Sequence, residues 1–388
     1  MRVLHFVESY LQPTETFVYN FIQQSAVGNE TCIVAFNILN LDRFPLPEKC
    51  SLQQLQGKTA GKFDSILAGV SKYFLRIHKR KLWIEKLHFV IRDFKPDVIH
   101  CHFGTMGLKY VEYLETYPGQ PPFITNFYGY DASELPKKYK WYMRGLVKLW
   151  SETEMVLVEG PAMGERLIRL GAPAEKIELS PIIINVEKYP VRGTYSRSGK
   201  QPVHFLLIGR FIEKKGFHIF LKAVGKLLHL LPPFSITFIG NGPMLDDYKK
   251  IINDLGYTGN VTFAGMKSLN ECINYMVSAD VLIHPSLTAA NGDSEGGAPT
   301  ILLEAQAIGI PVISSTHADI PYVMGYDHFL AKEGDVDSLA NCILSFIEDE
   351  RLEEKIEKGK MSVRSRHDMK VSQLYRQLLA KFATSTTT

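Results

Sequence analysis

The chain has 388 residues, a formal charge of +3, 45% hydrophobic and 22% charged residues. That is too long for one ordinary core, so two domains are expected, and the near-neutral balance argues against nucleic acid as a partner. Five cysteines (Cys32, Cys50, Cys101, Cys272, Cys342) lack CxxC or metal-like spacing, which suits free thiols in a reducing cytosol and no bound metal.

The opening MRVLHFVESYLQPTETF reads as a first strand, not a signal peptide. No apolar run approaches bilayer-spanning length. The expected location is cytoplasmic, or peripheral on the cytoplasmic face of a membrane. In the first half, strands are predicted at 2–7, 31–36, 97–103, 123–128, 155–160 and 177–181, with helices at 15–26, 66–92 and 137–150. These strands are apolar on both faces, as in parallel sheets covered by helices. Residues 191–202, VRGTYSRSGKQP, are polar and aperiodic and read as a linker. The alternation then restarts, with strands at 203–209, 235–240, 260–265, 280–286 and 311–315 and helices at 216–230, 243–255, 268–278 and 299–308. Tandem α/β doubly wound domains follow, 1–190 and 200–367, with a final helix 368–384 free to pack back on the first. The cleft between the carboxyl ends of two such sheets binds ligands.

The stretch SEGGAPTILLEAQAIGIPV (294–312) buries Glu304 in an apolar helix, where a lone carboxylate is costly unless bonded. Pro299 suits the first turn, and Gly309 with Pro311 suits the end. Gly296 and Gly297 let backbone approach a ligand, and the free amides around Ala298 and Thr300 attract phosphate. Glu304 lies roughly 7 Å further along the axis. A nucleoside diphosphate would satisfy this pattern, its diol on Glu304 and a second set of hydroxyls on Glu295. The plainer alternative is a Glu304 bonded to nearby backbone and a surface Glu295. In LLIGRFIEKKGFHIF (206–220), Gly209 and Arg210 end a strand, and Lys214 and Lys215 enter a helix, where cations meet the same diphosphate; a solvated basic loop is the alternative. FIGNGPM (238–244), with Gly240 and Asn241, reads as a strand end passing close to a base or sugar. His102 and Asp131 sit at strand ends facing the cleft, where either would orient an acceptor hydroxyl or merely bond buried backbone.

GRFIEKKG, FIGNGPM, VTFAGMKS, ADVLIHPS and SEGGAPTILLEAQAIGIPVISS, in this order, resemble glycosyltransferase family 4, retaining enzymes of the GT-B fold that use nucleotide sugars. In the first half, TETFVYNFIQQ, IHCHFGTMG and TNFYGYDAS resemble its exopolysaccharide and colanic-acid branch. The resemblance implies two Rossmann-like domains facing a central cleft, with a UDP-sugar as the first choice of donor. Arg210 and Lys215 would hold the diphosphate, Glu304 the ribose and Glu295 the transferred sugar, with Met266 near the base. Glu15 and Thr16 fall on the acceptor side with His102 and Asp131. Eight residues separate Glu295 from Glu304, one more than is usual in the family. Tyr128 stands where the family commonly has histidine, and its hydroxyl is expected on the diphosphate or sugar. The acceptor would be a glycan, a lipid-linked oligosaccharide or a small molecule. No cofactor or metal is implied. The basic, aromatic segment 72–95 would rest on anionic lipid or pack as a helix with a solvated basic face. Rival readings are a nucleotide-sugar epimerase, a phosphorylase, or a non-catalytic sugar-nucleotide binder.

Overall fold

The structure, a computed structural model, describes residues 1–12, 15–55, 70–193, 202–325, 329–370 and 373–383, with backbone only over 70–79. Most of the linker, the start of the helix expected at 66–92 and the chain end after 383 lie outside these residues.

Seven parallel strands form the first sheet: β1 (Arg2–Tyr10), β2 (Glu30–Ile38), β3 (Cys50–Gln54), β4 (Val98–His102), β5 (Phe123–Asn126), β6 (Met155–Val158) and β7 (Ile177–Leu179). Their order is β3-β2-β1-β4-β5-β6-β7. The second sheet has six: β8 (Val203–Ile208), β9 (Phe234–Ile239), β10 (Val261–Phe263), β11 (Val281–His284), β12 (Val312–Ser315) and β13 (Leu330–Ala331). Its order is β10-β9-β8-β11-β12-β13, again parallel. β4 (VIHCH), β6 (MVLV) and β11 (VLIH) are buried along their whole length. Only a sheet covered by helices on both faces buries every residue of a strand. Each sheet reverses direction beside its first strand, at β1/β4 and β8/β11, the switch points where α/β sheets open crevices.

Two strands escaped the sequence reading. β3 is a mostly exposed edge strand of sequence CSLQQ, with no apolar pattern to find. β13 is two residues long. The helix expected at 137–150 is instead a pair, Tyr130–Lys138 and Lys140–Glu152, broken where Tyr139 turns extended. Pro136, near the end of the first, withholds an amide and favours that break.

The final helix, Leu374–Ala383, lies on the first sheet, its Tyr375, Leu378, Leu379 and Phe382 packed with Val3, Val98, Ile124 and Leu157. The chain therefore crosses between domains twice. The crossings bond each other: the Ile184 amide donates to the His367 carbonyl at 2.8 Å and the Met369 amide to the Ile184 carbonyl at 2.9 Å.

The helix Val70–Phe94 covers the segment considered for membrane contact. Trp83, Ile84, Leu87 and Ile91 face the core. Arg80 ion-pairs with Glu112 and Glu115, and Lys81 with Glu85. In the portion whose side chains are described, one face packs on the core and Arg80, Lys81 and Arg92 pair with carboxylates, while Leu82 and Phe89 are exposed. Among the described residues, no helix is long and apolar enough to cross a membrane.

Candidate active site

A cleft of about 480 Å³ opens between the carboxyl ends of both sheets, a size that suits a small polar ligand. The first domain contributes Glu15, Phe103, Tyr128, Gly129 and Glu159; the second contributes Gly209, Arg210, Lys214, Lys215, His284 and the run 294–301. They lie at strand ends or in the segments that follow them, before the helix Thr16–Ala26 in the case of Glu15, or in the loop and first turn of the helix Thr300–Ile308.

Of the expected donor residues, Gly209, Arg210, Lys215, Glu295, Gly296, Gly297, Ala298, Pro299 and Thr300 line this cleft together. Lys215 Nζ lies 2.7 Å from Glu295 Oε1. Burial pushes the Glu295 carboxyl up, but Lys215, Lys214 and other neighbours outweigh it and hold the group at about 2. The longer spacing to Glu304 therefore leaves the Glu295 carboxylate inside the cleft, facing a cation. Arg210 is exposed there, and no ion pair engages it among the described residues. Lys214 is no solvated loop residue: it bonds Asp293 at 3.1 Å and the Ser294 carbonyl at 3.2 Å, pinning the loop that carries Glu295.

His317, which no sequence motif flagged, supports the same loop. Its Nε2 accepts from the Glu295 amide at 3.3 Å, and its Nδ1 lies 3.0 Å from Glu333 Oε2. His284 borders Lys215 and Glu295, and both its buried ring nitrogens lack partners among the described residues. Burial first, then Lys215, bring it down to about 3, so the imidazole is neutral.

Glu304 finds a partner the sequence could not name. Tyr189, from the crossing between domains, donates to its Oε1 at 3.0 Å. Burial raises the Glu304 carboxyl's pKa, with the Tyr189 bond opposing. Glu304, Gly240, Asn241 and Met266 lie outside the cleft lining, and Met266 is 74% exposed.

The glycines serve contact between the domains. A Cβ on residue 296 would collide with the Tyr128 carbonyl, and one on residue 297 with the Glu159 carboxylate. Gly129, at φ 151°, would bring a Cβ to 2.9 Å from the Gly296 amide. Around them, Asp319 of the second domain accepts from the Ala162 and Met163 amides at 2.7 and 3.1 Å. It thereby caps the helix Pro161–Arg169 of the first domain. Arg166 reaches back to Ser294 Oγ at 3.2 Å.

The expected acceptor residues divide. Glu15 lines the cleft and receives the Gln12 amide at 2.7 Å; burial raises its pKa. Thr16 begins the helix Thr16–Ala26 and is outside the lining. Asp131 is fully buried and accepts from the amides of Tyr128, Gly129 and Gly104 at 3.1, 2.9 and 2.9 Å. It staples two strand-end loops and has no reach to an acceptor. His102 is equally buried, behind Tyr128, whose hydroxyl lies 2.7 Å from His102 Nδ1. That hydroxyl is thus turned into the first domain, not toward a donor.

One proton arrangement satisfies the chain behind Tyr128. The tyrosine donates to His102 Nδ1, and His102 Nε2–H donates to His5 Nδ1 at 2.8 Å. His5 Nε2–H then donates to Ser25 Oγ at 2.6 Å, which donates to the Ile22 carbonyl at 3.0 Å. His100 is satisfied separately by Tyr375 and Asn126 at 2.6 and 2.9 Å. Burial drives His5 and His102 well below the usual histidine range and His100 to about 3. The ligand nitrogens of these three histidines all lie within 4.8 Å of one another. Since every ring nitrogen already has a protein partner, the cluster reads as a neutral hydrogen-bond network.

Two parallel Rossmann-like sheets facing a cleft with a glycine-rich helix start define a GT-B architecture. Solved structures agree on the fold: the Anabaena protein HepE in complex with UDP superposes with a TM-score of 0.75 at 18% identity, over 99% of this chain and 100% of that one. Family models match in both halves, Glycosyltransferase Family 4 over residues 61–188 and Glycosyl transferases group 1 over 196–362. The chain belongs to this glycosyltransferase family, in its exopolysaccharide branch. The amylovoran biosynthesis glycosyltransferase AmsK of Erwinia amylovora is 33% identical over 67% of this chain, which spans 63% of that relative's length. The protein named for colanic acid biosynthesis, WcaL of Salmonella typhimurium, is 26% identical over 94% of this chain and 95% of its own.

Proposed function

We propose that the chain transfers a sugar, with retention of configuration, from a nucleoside-diphosphate sugar to a hydroxyl of a glycan or lipid-linked acceptor in exopolysaccharide assembly. The names of AmsK and WcaL support the pathway, and the UDP in HepE makes UDP the first base to test. The observation that carries the reading is the Lys215–Glu295 pair beside Arg210 at the open start of the helix Thr300–Ile308.

In this reading the diphosphate lies against the amides of Gly297, Ala298, Thr300 and Ile301, with Arg210 and Lys215 meeting its charge as the glycosidic bond to phosphate breaks. Glu295 holds the sugar's hydroxyls, and the free oxygen of Glu304 takes the ribose. The acceptor oxygen bonds the anomeric carbon on the face the phosphate leaves, and its proton passes to a phosphate oxygen. Two cations and the helix amides take the charge that a divalent metal takes elsewhere, so turnover in excess EDTA is expected to continue.

Thermal shift with UDP, GDP and ADP, alone and as sugar conjugates, tests the reading. A bound nucleotide at a hundredfold excess over Kd adds about 2.7 kcal/mol to stability. No shift with any of them would refute it. With the active donor, an epimerase would consume it without acceptor, and the product's anomeric proton coupling reads retention directly.

A further inference from the structure

Among the described residues, Glu159 is the one cleft-lining acid with neither a cationic partner nor a sequence motif to explain it. It follows β6, only 5% exposed, on the first-domain wall. Its carboxyl packs against Gly297 across the domain boundary, where a Cβ on that glycine would collide with Glu159 Oε2. Glu295, the neighbouring acid of the second domain, holds Lys215, but no ion pair engages Glu159 among the described residues. Asp319 from beyond β12, Asp131 from the loop after β5 and Glu295 from the donor loop act on it as like charges, while the cations nearby are engaged elsewhere, Lys215 by Glu295 at 2.7 Å and Arg166 by Ser294 Oγ at 3.2 Å. Burial first, then Glu159, raise Tyr128, on the same wall, well above its usual value. An anionic Glu159 here would be buried with no cation of its own, a costly state. It would also face the diphosphate, which in the proposed function lies on the Gly297 amide.

We propose that Glu159 is a further catalytic residue, a carboxylic acid that donates a hydrogen bond to a diphosphate oxygen of the sugar nucleotide at Gly297. This rests on the donor placement above and deepens it. The Gly297 amide goes to the diphosphate, and the O–H of the acid beside it turns to the same ligand. Such a bond runs from a neutral donor to an anionic acceptor, among the stronger kinds. It strengthens further as the leaving phosphate gains charge. No proton need transfer: the acid serves as a fixed dipole in a site that would repel its conjugate base. Burial, then Asp319 and Asp131, raise the Glu159 pKa well above the usual glutamate value of 4.5, with the nearby Gly297 amide opposing.

The test compares wild type with Glu159→Gln, which keeps a neutral hydrogen-bond donor of the same shape, and Glu159→Ala, which keeps neither donor nor acceptor. The first readout needs no ligand. Because the folded carboxyl binds its proton more tightly than the unfolded one, wild-type stability falls as pH rises from about 4.5 toward the folded pKa. Glu159→Gln removes that dependence, so its melting temperature should gain on wild type as pH increases. The second readout is affinity for UDP and for GDP by calorimetry between about pH 6 and pH 9. Wild-type affinity should fall at high pH relative to Glu159→Gln, and Glu159→Ala should bind about tenfold or more weakly at pH 6, the loss of one bond to a charged group. Melting or binding curves of wild type and Glu159→Gln that run parallel with pH would overturn the acid assignment, as would wild-type affinity in Glu159→Ala. Failure of wild type to bind either nucleotide would overturn the donor reading itself, and this inference with it.

Discussion

Lys215 and Arg210 do the same job in a charge-neutralising account of the leaving group, yet the structure predicts that losing them differs in kind. Lys215 is paired at 2.7 Å with Glu295, their side chains 16% and 11% exposed; Arg210 is exposed. At an effective dielectric of about 20 the bare attraction at that separation is about 6 kcal/mol, from which burial subtracts. The balance is visible in Glu295, held at about 2 where an unperturbed carboxyl sits at 4.5, equivalent to about 3 kcal/mol. Since the folded pKa is the lower one, this stabilisation is full above about pH 4.5 and is lost as pH falls toward 2. Lys215→Met should therefore cost about 2–4 kcal/mol in urea unfolding at pH 7, because Glu295 is left charged, buried and unpaired. Arg210→Met should stay within about 0.5 kcal/mol. Both should lose turnover by orders of magnitude. A double-mutant cycle of Lys215→Met with Glu295→Gln isolates the pair. A coupling below about 0.5 kcal/mol, or an Arg210 variant as unstable as the lysine one, would refute the assignment of Lys215 as both structural and catalytic.

Two further outcomes follow from the domain wall. Tyr128→Phe should destabilise the first domain by about 1–3 kcal/mol, the cost of a buried His102 Nδ1 left unpaired, with UDP affinity unchanged; a variant of normal stability that binds UDP poorly would put the hydroxyl on the donor after all. Gly296→Ala should hold the domains apart, since its methyl group falls on the Tyr128 carbonyl; small-angle scattering should show a larger radius of gyration, and an unchanged radius with normal activity would show that this contact yields.

What could be read in advance was whatever depends on residues close in sequence. Strands such as MVLV and VLIH announce burial on both faces by themselves, and so fixed the doubly wound reading; CSLQQ, exposed at an edge, announces nothing. The donor loop was legible because Glu295, the glycines and the helix start lie within a few residues, and Lys215 because it shares a motif with Arg210. The partners were not. Asp319 caps a helix 157 positions away and Tyr189 reaches Glu304 across 115; no local pattern encodes such pairings.

The misplaced roles have one physical origin. A polar side chain at the carboxyl end of a parallel strand points toward the crevice, and that alone made His102 and Asp131 look like groups for an acceptor. Strand ends also leave loop amides without sheet partners, and something must bond them. Asp131 does this for Tyr128, Gly129 and Gly104, and His102 is satisfied by Tyr128 and His5. The acids that remain open to the cleft are the ones whose bonding is incomplete or crosses the domain boundary: Glu15, Glu159 and Glu295. Counting which polar atoms the fold itself has already satisfied therefore separates the residues that shape the crevice from those left to meet a ligand, a distinction that position along the strand cannot make.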